Sequence, residues 1–129
     1  MNERYNPVWL EKPKQRAVMI SESAWKGLRE QSIMRRASAS VICRRLLENY
    51  LETEEKPAVY ELEDDVKKKK RTLHISDFLW SQTRMQALRE ERTASSLVEQ
   101  LIREYLGMDL GVMKDAPALP SVTGDNSVF

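Results

Sequence analysis

Lys69-Lys70-Arg71-Thr72-Leu73-His74-Ile75-Ser76 is a short alternating run that leads into a helical pattern. An earlier copy, Lys14-Gln15-Arg16-Ala17-Val18-Met19-Ile20-Ser21, lies fifty-five positions upstream. Residues 14–51 slide onto 69–106 without a gap, and the overlay is identical at Lys14/Lys69, Arg16/Arg71, Ile20/Ile75, Ser21/Ser76, Trp25/Trp80, Arg29/Arg84, Gln31/Gln86, Ala39/Ala94, Ser40/Ser95, Leu46/Leu101, Tyr50/Tyr105 and Leu51/Leu106. That is far more than chance supplies, and an internal repeat governs how the rest of a chain is read.

Within each copy the first residues alternate. Arg16, Val18 and Ile20 share one face, as do Arg71, Leu73 and Ile75; Gln15, Ala17 and Met19, or Lys70, Thr72 and His74, take the other. Each run is a strand too short to stand alone, so pairing the two copies with each other is the expected solution. Ser21 and Ser76 then read as helix N-caps, and Glu22 or Asp77 adds negative charge to the first turn.

The first helix is expected over about 22–34, with a stripe of Ala24, Trp25, Leu28, Ser32 and Ile33, matched by Leu79, Trp80, Thr83, Ala87 and Leu88. Ser38 and Thr93 are the expected caps of a second helix. Its stripe is Ile42, Cys43, Leu46, Leu47, Tyr50 and Leu51, matched by Leu97, Val98, Leu101, Ile102, Tyr105 and Leu106. Gly107 closes the second copy. Cys43 falls in mid-stripe, as a packed and inert thiol would.

Three segments surround the copies. Residues 1–13, with Pro7 and Pro13, read as an extended arm whose Trp9 docks on the core or touches a partner. The acidic linker 52–68 is either disordered or laid down as a short edge strand over Val59 to Leu62. Residues 108–129, with two prolines and two glycines, read as a flexible tail.

The 129 residues carry a net charge of only +1, but its distribution is uneven. Eight basic against three acidic side chains give residues 14–51 a net +5; seven against five give 69–106 a net +2. The linker carries three basic against seven acidic side chains. Basic repeats joined by an acidic strap fit one specific anionic partner better than a general polyanion. A single cysteine excludes an intramolecular disulfide. No apolar run is long enough to cross a membrane and no secretion signal follows Met1, so the expectation is a cytoplasmic protein with no membrane partner. One His, one Cys, no Gly-rich phosphate loop and no metal-spaced cluster argue against an enzyme; no cofactor or metal is expected.

Strand, helix, short Ser-rich turn and helix within about forty residues resembles the ribbon-helix-helix (Arc/Met repressor-like) family of DNA-binding proteins. The resemblance covers 14–51 and 69–106. It implies a mainly α fold with a two-stranded antiparallel β-ribbon, the two motifs in tandem forming a single-chain pseudo-dimer that buries Trp25 and Trp80. The physics is compatible: one copy alone is too small to bury a stable core.

The resemblance assigns base contacts to Gln15, Ala17, Met19, Lys70, Thr72 and His74. Lys70 suits guanine O6 and N7, Gln15 suits adenine, and Thr72, Ala17 and Met19 suit thymine methyls. The copies differ at all three places, so the preferred double-stranded DNA site is expected to be asymmetric. Phosphate contacts are expected from Ser38, Ala39 and Ser40, from Thr93, Ala94 and Ser95, where helix N-termini offer free N–H groups, and from Lys69 in the basic run 67–71. The family usually places Gly at the end of the first helix. Arg36 and Glu91 stand there instead, which costs about 1 kcal/mol in a left-handed turn and predicts a turn of different shape. Glu90 and Glu91 are further expected to repel phosphate.

The implied role is a transcriptional repressor, with neighbouring copies associating side by side on DNA. Two other readings stand beside it. One is an antitoxin whose tail (Leu110, Val112, Met113, Leu119, Val122, Val128, Phe129) wraps a protein toxin. The other is an accessory protein that bends plasmid DNA at a transfer origin.

Overall fold

A computed structural model of the chain describes residues 12–63 and 65–114. The expectations placed on Trp9 and on the tail beyond Lys114 lie outside the described residues. Two eight-residue strands, β1 (Lys14–Ser21) and β3 (Lys68–Ile75), pair antiparallel, with Ala17 opposite Thr72 at the centre. Because 17 and 72 are equivalent positions of the repeat, each rung is matched by an equivalent rung across that centre. The four helices are α1 (Glu22–Arg35), α2 (Ala39–Glu52), α3 (Asp77–Arg89) and α4 (Ala94–Leu106). Two short strands, β2 (Tyr60–Glu61) and β4 (Val112–Met113), form a second antiparallel pair.

Local chemistry sets each helix start. The hydroxyls of Ser21, Ser38, Ser76 and Thr93 accept from the N–H groups of Ala24, Val41, Leu79 and Ser96, so all four expected N-caps are in place. Gly107 ends α4 in the left-handed region at φ 70°. The turns after α1 and α3 keep the same left-handed shape without glycine: Arg36 has φ 56° and Glu91 φ 59°. The expectation of a different turn is therefore corrected. Paired carbonyls explain why the strain is tolerated, since the N–H of Ala37 reaches Ser32 O and that of Arg92 reaches Ala87 O.

The copies interlock. α4 packs on β1 and α1, while α2 packs on β3 and α3. The inner ribbon face contributes Val18, Ile20, Leu73 and Ile75, all fully buried, and the helices add Ala24, Leu28, Ile42, Cys43, Leu47, Leu97, Val98 and Ile102. Packing is tight where α1 crosses α4, because a Cβ on Gly27 would stand 2.7 Å from Leu106 Cδ1.

Several expectations are corrected by this packing. Ile33 and Leu88, assigned to buried stripes, are 72% and 76% exposed: they stand in the last turns of α1 and α3, on a side that no other described element covers. Trp25 and Trp80 are half-buried at the core margin, and the Arg71 guanidinium lies 5.1 Å over the Trp25 ring. The first seven residues of the expected flexible tail are described, and two of them form β4 because Tyr60 and Glu61 offer a strand to pair with. That pairing also selects the strand alternative for the linker.

Polar networks tie β2 of the linker to the second copy. Arg92 on the turn before α4 is paired with Glu90 at 2.6 Å with its side chain fully buried; it also donates to Gln100 Oε1 (2.6 Å) and Tyr60 O (3.3 Å). Gln100 accepts from Tyr60 N–H and donates to Ala58 O. The Tyr50 hydroxyl donates to Glu90, and burial followed by that carboxylate pushes its pKa above the ordinary value.

Two of these environments can be tested directly. Arg36→Gly should raise the unfolding free energy by about 0.5–1 kcal/mol and Gly107→Ala should lower it by a similar amount, checked by urea titration of both variants. Burial pushes the Cys43 thiol up to about 12, so it should resist iodoacetamide at pH 8 in the native protein and be alkylated promptly in denaturant, as read by mass spectrometry.

Candidate nucleic-acid interface

The outer face of the ribbon follows from its register. Three rungs, Gln15–His74, Ala17–Thr72 and Met19–Lys70, put all six expected base-contact side chains on one surface, and all six are exposed. The alternate side chains face the core. Met19 is 42% exposed, a large apolar side chain turned outward by the parity of its strand. Lys68 joins this surface by the same parity. The sequence reading counts it into the linker, although the period of two, carried one step back from Lys70, reaches it.

A two-stranded ribbon leaves N–H groups unpaired along both outer edges, and here the opposite copy covers them. His74 N–H donates to Ser40 Oγ at 2.8 Å, and at the equivalent position Met19 N–H donates to Ser95 Oγ at 2.9 Å. The identity of Ser40 with Ser95 therefore has a structural cause: each hydroxyl anchors a helix N-terminus to the far strand. Their oxygens are engaged as acceptors, and the half-buried Ser95 and buried Ser40 offer only their hydroxyl hydrogens outward.

Those anchors set the N-termini of α2 and α4 against the two edges of the ribbon. The first-turn N–H groups of Ala39, Ser40, Ala94 and Ser95 have no intrahelical acceptor. Neither helix carries an acidic side chain in its first turn, whereas α1 has Glu22 and α3 has Asp77. The positive ends of α1 and α3 are thus neutralised within the protein, and those beside the outer face are left open. Ser38 and Thr93 spend their oxygens as caps and remain exposed.

Lys69 is placed differently from expectation. Its parity puts it on the ribbon face opposite the six side chains, and its ammonium lies 3.5 Å from Glu22. At the equivalent position Lys14 lies 2.6 Å from Asp77. The repeated lysine is a latch between one copy's strand and the other copy's first helix. Its signal in the sequence is the acid that follows each capping serine. Arg16 adds to the latch at Asp77, 2.5 Å from Oδ1, and donates to Ile75 O.

The two flanks differ electrostatically. Beside α2 stand Arg36 and Arg45, both exposed, and Arg44, which donates to His74 O at 3.0 Å. The equivalent of Arg44 is Glu99, buried and holding the N–H and hydroxyl of Ser21 at 2.8 and 2.5 Å together with Arg103 at 2.6 Å. Glu90, expected to repel an anion, is spent on Arg92 and Tyr50 instead. Glu91 remains exposed.

Among the described residues no group of His, Cys, Asp and Glu could hold a metal ion, and no helix is long and apolar enough to cross a membrane.

Hydrogen bonds from Lys14 and then Arg16 hold the Asp77 carboxyl below its ordinary value of 3.8. Its contribution to stability is present above that value and is lost as pH falls through the depressed one; solvent screening keeps it small. Asp77→Asn should therefore flatten the acid limb of stability against pH below about pH 4 and leave the neutral limb parallel to that of the parent. Thermal melts from pH 2 to 7 read this directly.

Comparison of this chain with protein-family models, with curated proteins and with solved structures finds no match.

Proposed function

We propose that this chain binds double-stranded DNA sequence-specifically as a tandem ribbon-helix-helix protein, its two halves taking the places that two subunits fill in the family it resembles. In this reading the protein acts as a transcriptional repressor. The observation that carries it is the outer ribbon face: six exposed side chains on three rungs, bounded on both sides by unneutralised helix N-termini. The antiparallel pairing of β1 with β3 and the exchange of Ser40 and Ser95 between the copies support the one-chain pseudo-dimer.

A projecting two-stranded ribbon fits the major groove, where each base pair displays a distinct pattern of donors and acceptors. Lys70 supplies a donor for guanine, Gln15 a donor and acceptor for adenine, and Ala17 and Thr72 at the centre bring small apolar groups to thymine methyls. The helix N-termini offer phosphate seats beside the ribbon, which fix the register without reading sequence. Rung by rung the halves differ: Gln15 answers Lys70, Ala17 answers Thr72 and Met19 answers His74 under the repeat. A protein with such a face has no reason to prefer a palindrome. The absence of an acid in the first turn of α2 and α4 distinguishes this surface from a merely solvated sheet face.

Selection of binding sites from random duplexes, followed by footprinting, tests the reading. One non-palindromic site is expected. Replacing Lys70, Thr72 and His74 together by Ala should weaken specific binding by about 1–3 kcal/mol for each base-reading side chain removed and leave nonspecific binding nearly unchanged. A triple variant that still selects the parent's site would show that the ribbon is not the reader.

A further inference from the structure

The two phosphate-binding flanks are not equivalent, and the linker is the reason. A cleft of about 570 Å³ opens beside the N-terminus of α4, and Met19, Lys68, Glu91 and Thr93 line it together with Glu61 and Glu63 of the linker. Glu63 and Glu91 are exposed and Glu61 is partly so. The carboxylates are held there by construction. β2 is fastened to α4 through Gln100 and Arg92. β4 then fastens to β2, and the N–H of Lys114 reaches Val59 O at 2.7 Å. Two further cations line the cleft, but Lys114 faces Glu61 at 3.7 Å and donates to Glu91 O. Arg92 is spent on Glu90.

Around α2 the repeat puts Arg36 where the α4 flank has Glu91, and Arg45 where it has Gln100. One flank is therefore open and cationic, while at the other the exposed Glu63 and Glu91 line the cleft with Glu61, which Lys114 partly neutralises, and with Lys68. The Debye length at physiological salt is about 8 Å, and Thr93 lines the same cleft as these carboxylates whereas Ser38 does not, so they act chiefly on a backbone seated at Thr93.

We infer that the β2–β4 strap makes DNA binding one-sided: the α2 flank is the anchor for the phosphate backbone, and Glu61, Glu63 and Glu91 hold the backbone off the α4 flank. This rests on the DNA-binding reading above. The strap thereby orients the protein on its site independently of the base contacts, which lie on the ribbon between the flanks.

The test compares two charge-matched triple variants of the full chain on the selected duplex, by fluorescence anisotropy between 50 and 200 mM NaCl. One is Glu61→Gln/Glu63→Gln/Glu91→Gln. The control, Glu48→Gln/Glu52→Gln/Glu54→Gln, removes exposed acids from the C-terminal half of α2 and the residues after it, about 13 Å or more along the helix from its N-terminus. The strap variant is expected to bind about tenfold more tightly than the control, with a salt slope steeper by about 0.9 for each phosphate newly engaged. Its hydroxyl-radical footprint should gain protection on one flank only. Equal affinities, slopes and footprints for the two variants would overturn the inference while leaving sequence-specific binding intact. A parent chain that selects no duplex would overturn the DNA-binding reading itself and this inference with it. Circular dichroism melts of both variants guard against a folding defect, and the single substitution Glu63→Gln, at an exposed loop position, gives the same reading in smaller measure.

Discussion

The pairing of β1 with β3 is the constraint on which the molecule depends. Among the described residues neither strand pairs with any other strand, and the inner face they share is what encloses Val18, Ile20, Leu73 and Ile75 against the helices. Once the strands meet, the helices have no choice of place. Each second helix must cross to the opposite strand to cover it, and the serine at its start must close that strand's free edge. Local folding of one copy without the other would leave an eight-residue strand and two half-covered helices, which is too little core to hold. The long-range contact is thus a condition for the short-range ones to be stable.

On this evenly repeated frame the side chains are distributed unevenly, and the unevenness is concentrated in the second copy. Glu99 with Arg103 and Arg92 with Glu90 are buried pairs with almost no exposed surface. Such pairs contribute little net stability, but removing one partner strands a charge at a cost of about 3–5 kcal/mol. Arg92 holds the linker at Tyr60, whereas Glu99 and Arg103 hold Ser21 at the junction of β1 and α1. The positions that answer them in the first copy, Arg44 with Glu48 and Ala37 with Arg35, make no such network. In the second copy Arg92 and Arg103 are consumed in buried pairs, whereas Arg36 and Arg45 of the first copy stay at the surface.

The division bears on how the molecule meets a partner. The repeated residues, Lys14 and Lys69, Ser40 and Ser95, Ser21 and Ser76, perform framework tasks: latch, edge closure and cap. The residues that differ between the copies occupy the outer rungs and the flanks. Framework positions and the exposed positions that differ between the copies are separate sets, so the outer surface can vary while the strand register does not.

Much of this was legible in the sequence. The repeat, the period of two ahead of each capping serine, the four N-caps and Gly107 are signals written within a few residues, and local steric and hydrogen-bonding rules suffice to read them. Parity grouped the six outer-face residues, and the resemblance said which of the two faces points outward. Tertiary structure decided the rest, because it depends on what lies across space. Lys69 reads as a phosphate ligand until its distance to Glu22 makes it a latch, and Glu90 reads as repulsive until Arg92 stands beside it. Ile33 and Leu88 keep helical spacing with buried neighbours, yet no described element covers their side of the last turns of α1 and α3, and periodicity does not encode where a partner element ends. Val112 and Met113 became a strand only because Tyr60 and Glu61, about fifty residues away along the chain, were already held by α4. A residue's intrinsic preference is set by its near neighbours along the chain, whereas its partner is set by the fold.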